Sequence, residues 1–421
     1  MEFNKESHST HWLSNVCLIA LAILFFTNWP GYHLTLGGPQ PFVYYAATCV
    51  FALLFIFLRP RALGLLLTES IFYWLLVYLL SGLLWLVLID SGHIPGEDTF
   101  LRARLLMLVL FATYFVLAVG VDYRLIAKIW FGCAVFIVVC FWIDFLFPYT
   151  FLPADHVKSN PGRAAGFFMN ANFAGTSLVL ICMAIMPFIE ARWRILLVLV
   201  MSIGVFPTLS RSSILFAMFV LAIWVWRGFL DRKTVLVMVF IAPIAIFVVS
   251  VLFSIGIQSS EIKTDNVMMR LNFFDPSTSA VSDHSSIERA YLAELGWQKF
   301  TERPLTGYGF GKFNEFSNEW GFRMNPHNMY LHIMFEQGIL GGLMYLIFIG
   351  MILYKGVSLY RRALSRQEAE IAITLMLIAA YFCIFGFLNH NLLGEAVSSM
   401  VLACFLAKER NIIHSKMNSN R

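Results

Sequence analysis

Charge is the scarcest feature of this 421-residue chain. Only 13% of its residues are Asp, Glu, Lys or Arg, against 59% hydrophobic residues and a mean hydropathy of +0.74. A soluble domain carries about 25% charge, so the deficit excludes one and makes the chain an integral membrane protein. Cysteine is missing wherever a disulfide framework would need it. All seven (Cys17, Cys49, Cys133, Cys140, Cys182, Cys383 and Cys404) fall within apolar runs, where free cysteine acts as a small hydrophobe. No short apolar core with a small-residue cleavage site opens the chain, so its first apolar run reads as a retained helix. Internal repeats and low-complexity tracts are absent. There is also no Asp-x-Asp pair, and the 28–40 connection holds no carboxylate. A metal-dependent sugar transfer would lack its usual ligands, and no cofactor is expected.

What the chain has in quantity is long apolar runs. Twelve, most of roughly 15–24 residues and the seventh shorter, are near the length a helix needs to cross a bilayer: 12–27, 41–58, 70–89, 105–121, 126–147, 173–189, 194–207, 213–226, 234–257, 331–354, 371–388 and 391–407. This predicts an all-α polytopic membrane protein of about 12 transmembrane helices. Even-numbered connections carry Arg59, Arg61, Arg124, Lys128, Arg192, Arg194, Arg227, Arg232, Lys233, Lys355, Arg361, Arg362 and Arg366, and the tail adds Lys408 and Arg410. Short odd-numbered connections are poorer, with Arg102, Arg104, Lys158, Arg163 and then Arg211 alone. The positive-inside rule then puts both termini in the cytoplasm. These anchors account for the net charge of +5, so nucleic acid is not implied. The predicted organisation is nine helices in 1–257, an external loop domain in 258–326, three helices in 327–408, and a cytoplasmic tail in 409–421.

The 258–326 connection is too long for a simple link. Its first part is irregular. Ser285-Ser286 can cap a helix through Arg289, Tyr291, Leu292, Leu295 and Phe300 that Pro304 stops. A turn-rich segment, Pro304-Leu305-Thr306-Gly307-Tyr308-Gly309-Phe310-Gly311, leads to a second short helix from Phe313 to Trp320. The Gly-x-Gly-x-Gly spacing is a superficial likeness to a phosphate cradle, because no strand precedes it.

Four polar residues far apart in sequence fall on the external face by this topology: Arg163, Arg211, Arg289 and His327. Each has a bland reading. A lone arginine snorkels to membrane lipid phosphates, an arginine on an amphipathic loop helix is a solvated charge, and an interfacial histidine is ordinary. His332 lies five residues after His327, about 140° around a helix, so the two do not make an i, i+4 metal pair. The predicted spans are nearly free of charge, Asp144 and Glu395 being the main exceptions. Transporters place ionisable groups at the bilayer midplane, whereas here the polar clusters lie at one face.

His327-Asn328, then nine residues, then Gly338-x-x-Gly341 resembles the signature of bacterial O-antigen ligases and their polymerase relatives. The resemblance takes in Ser210-Arg211-Ser212, Arg163-x-x-Gly166-x-x-x-Asn170-x-Asn172, and the run from Ser286 through Arg289 and Trp297 to Pro304-Leu305-x-Gly307-x-Gly309. Ala171 stands where many members have proline, and Gly342 adds a glycine. The resemblance implies a GT-C-like membrane enzyme with one large periplasmic loop in the bacterial inner membrane. Its donor would be an undecaprenyl-pyrophosphate-linked glycan and its acceptor the lipid A core, with neither metal nor ATP.

It further implies that His327 is the general base or acceptor-orienting residue. Arg211 and Arg289 would hold the pyrophosphate, through the planar and permanently charged guanidinium fork. Arg163, Asn328 and Asn170 would contact substrate, and Gly338 and Gly341 would permit close packing. O-antigen polymerase, protein O-oligosaccharyltransferase and a membrane transporter remain as alternatives.

Overall fold

The computed structural model describes residues 8–38, 43–44, 46–48, 50, 59–88, 97–153, 163–231, 235, 284–309, 311–322, 327–389 and 392–419. All regular structure among them is helical. Five helices are long and apolar enough to cross a membrane, and two bent pairs raise that to seven. The expected runs at 41–58 and 234–257 fall mostly outside the described residues, as does the irregular first part of the loop. The chain is a multi-pass membrane protein. Its contacts divide it into two compact units.

The first unit comprises Met1–Ser14, Tyr44–Val121 and Ser282–Arg421. At its centre the Met329–Arg361 helix pairs with Arg366–Phe385. The four-residue connection between them makes antiparallel neighbours, and Gly356 lets them approach: a Cβ there would crowd Met376 and the Ala372 carbonyl. Tyr345 locks the pair by donating its hydroxyl to the Phe382 carbonyl at 2.8 Å. Ser70–Leu88, Glu97–Ala118 and Ala396–Ser419 pack around them. The loop supplies His284–Glu302 and Lys312–Glu319, close to the bounds the capping and proline signals predict. An aromatic cluster of Leu292, Phe300, Tyr308, Phe313 and Phe335, flanked by Phe316 and Trp320, joins both loop helices to the start of the Met329–Arg361 helix.

Two sequence expectations change here. Arg104, expected in an external connection, lies within the Glu97–Ala118 helix and is buried. The spans also hold more charge than Asp144 and Glu395, for Glu336 and Glu370 are both buried inside helices. Several cations assigned to the cytoplasmic side serve inside the protein. Arg59 is fully buried and donates to Ser14 Oγ at 3.0 Å and to carbonyls at the end of the Glu97–Ala118 helix. Lys355 lies 3.0 Å from Glu69 and 3.7 Å from Glu409, and Arg410 reaches Glu69 at 2.9 Å.

The second unit comprises Asn15–Val43 and Asp122–Val281. Its core is the Ala171–Phe188 span, buried over 89% of its apolar window and packed by Tyr123–Leu146, Ala191–Val205 and Arg211–Trp226. Small residues make this closeness feasible: Gly204 faces Val138 and Leu178, and Gly175 faces Ser213.

Removing one member of a buried charge cluster leaves another uncompensated, at a cost of about 3–5 kcal/mol. Lys355→Met is therefore expected to lower the thermal unfolding midpoint of the detergent-solubilised protein well below wild type. An unchanged midpoint would show that the Glu69–Lys355–Glu409 cluster contributes nothing.

Candidate active site

The signature histidine sits at a forced point of the chain. His327 has φ 47°, in the left-handed region that few non-glycine residues adopt. Asn328 follows in extended conformation, and its Oδ1 accepts the Leu331 amide at 3.0 Å, capping the Met329–Arg361 helix. That oxygen is committed to the helix start, where an asparagine before an apolar run is expected. The Met329 amide donates to the Gly386 carbonyl at 2.6 Å, tying the same point to the end of the neighbouring helix. His327 is half-buried. Burial lowers its pKa below the usual value of 6.5, and the positive charge of Arg289 lowers it further. Arg289, within the loop, and His327, just past its end, are thus electrostatic neighbours.

The first signature glycine breaks the helix. Gly338 has φ 70° and ψ −170°, a region essentially reserved for glycine. A helix break strands peptide groups, which cannot be left unpaired at membrane depth. The glycine-rich turn supplies the partners. The Tyr308 and Gly309 amides donate to the Phe335 and Glu336 carbonyls at 2.8 and 2.9 Å, and the Ile339 amide donates to the Pro304 carbonyl at 2.8 Å. Contact is backbone to backbone, so a Cβ on Gly338 would overlap the Leu305 carbonyl and one on Gly307 would meet the Glu336 backbone. Gly341 packs against Ile333 and Gln337 of the preceding segment. The Tyr308, Gly309 and Gly311 amides of the apparent phosphate cradle are therefore spent on this helix.

The second unit gathers Arg163, Asn170, Asn172, Thr208 and Ser210–Ser213 around two helix N-termini. Asn170 Oδ1 accepts the Asn172 amide at 2.9 Å and caps Ala171–Ile185. Ser210 caps Arg211–Trp226 by accepting from the Ser213 amide. Arg163 joins the two starts, donating from Nε to the Thr208 carbonyl at 3.2 Å and from a terminal nitrogen to Asn172 Oδ1 at 2.7 Å. The Ser213 hydroxyl reaches the Asn172 carbonyl at 3.2 Å. Arg211 is half-buried in the first turn of its helix. Paired helix N-termini with arginine and hydroxyl groups favour a negatively charged ligand.

Residues 196–346 match the family model described as O-antigen ligase. That stretch, under half of the chain, is similar to the O-antigen ligase family. The matched stretch takes in Ser210-Arg211, Arg289, the glycine-rich turn and the whole His327–Gly341 signature, while Arg163 and Asn170 precede it. The family comprises glycosyltransferase-like enzymes that act on lipid-linked glycans. Comparison with curated proteins returned no match.

Within the family domain, sequence reasoning passed over one residue. Glu336 is fully buried and pairs with Arg104 at 2.6 Å. Its sequence signal was a lone carboxylate in an apolar run two residues before Gly338, and an intramembrane ionisable residue is a functional candidate by default.

Gly338→Ala would add a strain of about 1–3 kcal/mol from backbone conformation alone, besides the clash with Leu305. It is expected to lower the unfolding midpoint and to speed trypsin cleavage after Lys299 and Lys312, which flank the turn. Wild-type values of both would contradict the docking described here.

Proposed function

We infer that the chain transfers an undecaprenyl-pyrophosphate-linked O-antigen glycan to a sugar of the lipid A core. Transfer takes place on the periplasmic face of the bacterial inner membrane, with 258–326 as the periplasmic loop domain and both termini cytoplasmic. The observation that supports this reading is the family match over residues 196–346, which takes in His327 at the start of the signature helix, where burial and the Arg289 charge lower its pKa. A neutral imidazole near the working pH can take a proton from an attacking hydroxyl.

In the proposed reaction, the acceptor hydroxyl attacks the anomeric carbon of the donor glycan and gives its proton to His327. The bond from that carbon to the pyrophosphate oxygen breaks, and undecaprenyl pyrophosphate leaves with the bonding electrons. The leaving group is already activated, so no ATP is consumed. Its developing charge is neutralised by Arg211 and Arg289 rather than by a metal. The loss of one such donor in other enzymes costs about 2.7–4 kcal/mol of barrier. Arg163 supports the Thr208–Ser213 segment through the bonds it makes there. Asn170 and Asn328 cap the starts of the Ala171–Ile185 and Met329–Arg361 helices. Polymerisation is the nearest alternative, since it uses the same donor with a second lipid-linked glycan as acceptor.

Lipopolysaccharide from a deletion strain, complemented with wild type or His327→Ala, tests the reading. Ligation predicts loss of the whole O-antigen ladder in the deletion and in His327→Ala, with polymer retained on the lipid carrier. Cores bearing one repeat unit would identify a polymerase instead. An unchanged ladder would dismiss both and favour a protein acceptor or transport. In the same assay Arg211→Lys and Arg289→Lys are each expected to impair ligation, because an ammonium cannot reproduce the bidentate fork. Full ladders in both would remove the phosphate-clamp role.

A further inference from the structure

A carboxylate with no exposed surface sits where the turn meets the broken helix. One oxygen of Glu336 pairs with Arg104 at 2.6 Å. The other accepts the Gly311 amide at 3.1 Å and lies 3.4 Å from Nε2 of His332, one turn back on the same helix. Arg104 in turn lies over the Tyr78 ring at 4.1 Å. The side chain of Glu336 thus touches the Glu97–Ala118 helix, the loop and its own helix, while its carbonyl takes the Gly309 amide.

An ion pair buried this deeply is a poor source of stability. Desolvation offsets the attraction, and an apolar pair of equal volume is often as stable. What the pair supplies is direction. An ionised carboxylate only accepts hydrogen bonds, and the guanidinium fork fixes the plane in which its oxygens lie. Gly311 is consequently held at one place, and with it the segment that runs back through the 304–309 turn to the His284–Glu302 helix and Arg289. The other end of the broken segment begins at Asn328, next to His327. We propose that Glu336, oriented by Arg104, is a positioning residue for glycan transfer, setting Arg289 against His327 without touching substrate. This rests on the roles given above to those two residues.

The test uses full-length protein in lipid nanodiscs, with lipid-linked glycan donor and lipid A-core acceptor. Glu336→Gln keeps the volume and loses the charge. It is expected to lower kcat about ten- to hundredfold, the scale of a misplaced catalytic group, while the donor KM stays within about threefold. Amide hydrogen exchange across 304–311 should quicken in parallel. Should Glu336→Gln fail to accumulate, Arg104→Lys keeps the charge but not the planar fork, and is expected to shift both readouts the same way. Wild-type kcat overturns the proposal, and so does a fall in kcat with wild-type exchange, since Glu336 would then act by another route. His327→Ala separates this from failure of the underlying reading. It should abolish transfer and leave exchange across 304–311 unchanged. Transfer by His327→Ala would overturn the assignment of His327 as base, whatever Glu336 does.

Discussion

A peptide group freed inside a membrane-spanning helix must find another partner, and this chain meets that demand with its own loop. The break at Gly338 exposes the Phe335 and Glu336 carbonyls and the Ile339 amide, and the 304–309 turn bonds to all three. The break requires the turn, and the turn requires a glycine at 338 and another at 307 to come within backbone distance. From this single interlock follow the placement of the loop helices, the aromatic cluster that covers it, and the proximity of Arg289 to His327.

Much of this was legible in sequence because it is local. The two loop helices lie close to where serine caps and Pro304 predict, and the apolar runs from 70 onward that fall in described residues reappear as helices. The glycine signature could be recognised, but its purpose could not. Which backbone faces Gly338 depends on a turn more than 30 residues earlier. Asn328 and Asn170 stand immediately before apolar helices, where an asparagine serves as a cap, and the hydrogen bonds at both positions are cap bonds.

Arg104 and Glu336 were missed for a physical reason. They are 232 positions apart, and no spacing rule connects them. Counting only the apolar residues of a span leaves Arg104 in a loop, whereas the helix simply continues through it once a buried carboxylate is present to receive it. Arg59 and Lys355 follow the same logic. Each reads as an anchor that orients the chain in the membrane, and each is also built into a hydrogen-bonded or ion-paired contact within its unit.

The central claim is that His327 takes the acceptor proton in its neutral form, with Arg289 helping to keep it neutral. The most direct test is the pH dependence of kcat/KM for glycan transfer by wild type and Arg289→Gln, which reports the free enzyme. A histidine with a lowered pKa stays neutral, and active as a base, until the pH falls through that lowered value, so the acid limb for wild type should lie below 6.5. Removing the Arg289 charge lets His327 hold its proton more readily. The limb should therefore move to higher pH in Arg289→Gln, while remaining below 6.5 because burial, the larger cause, persists. An acid limb at the same pH in both proteins, or none at all, would contradict the account.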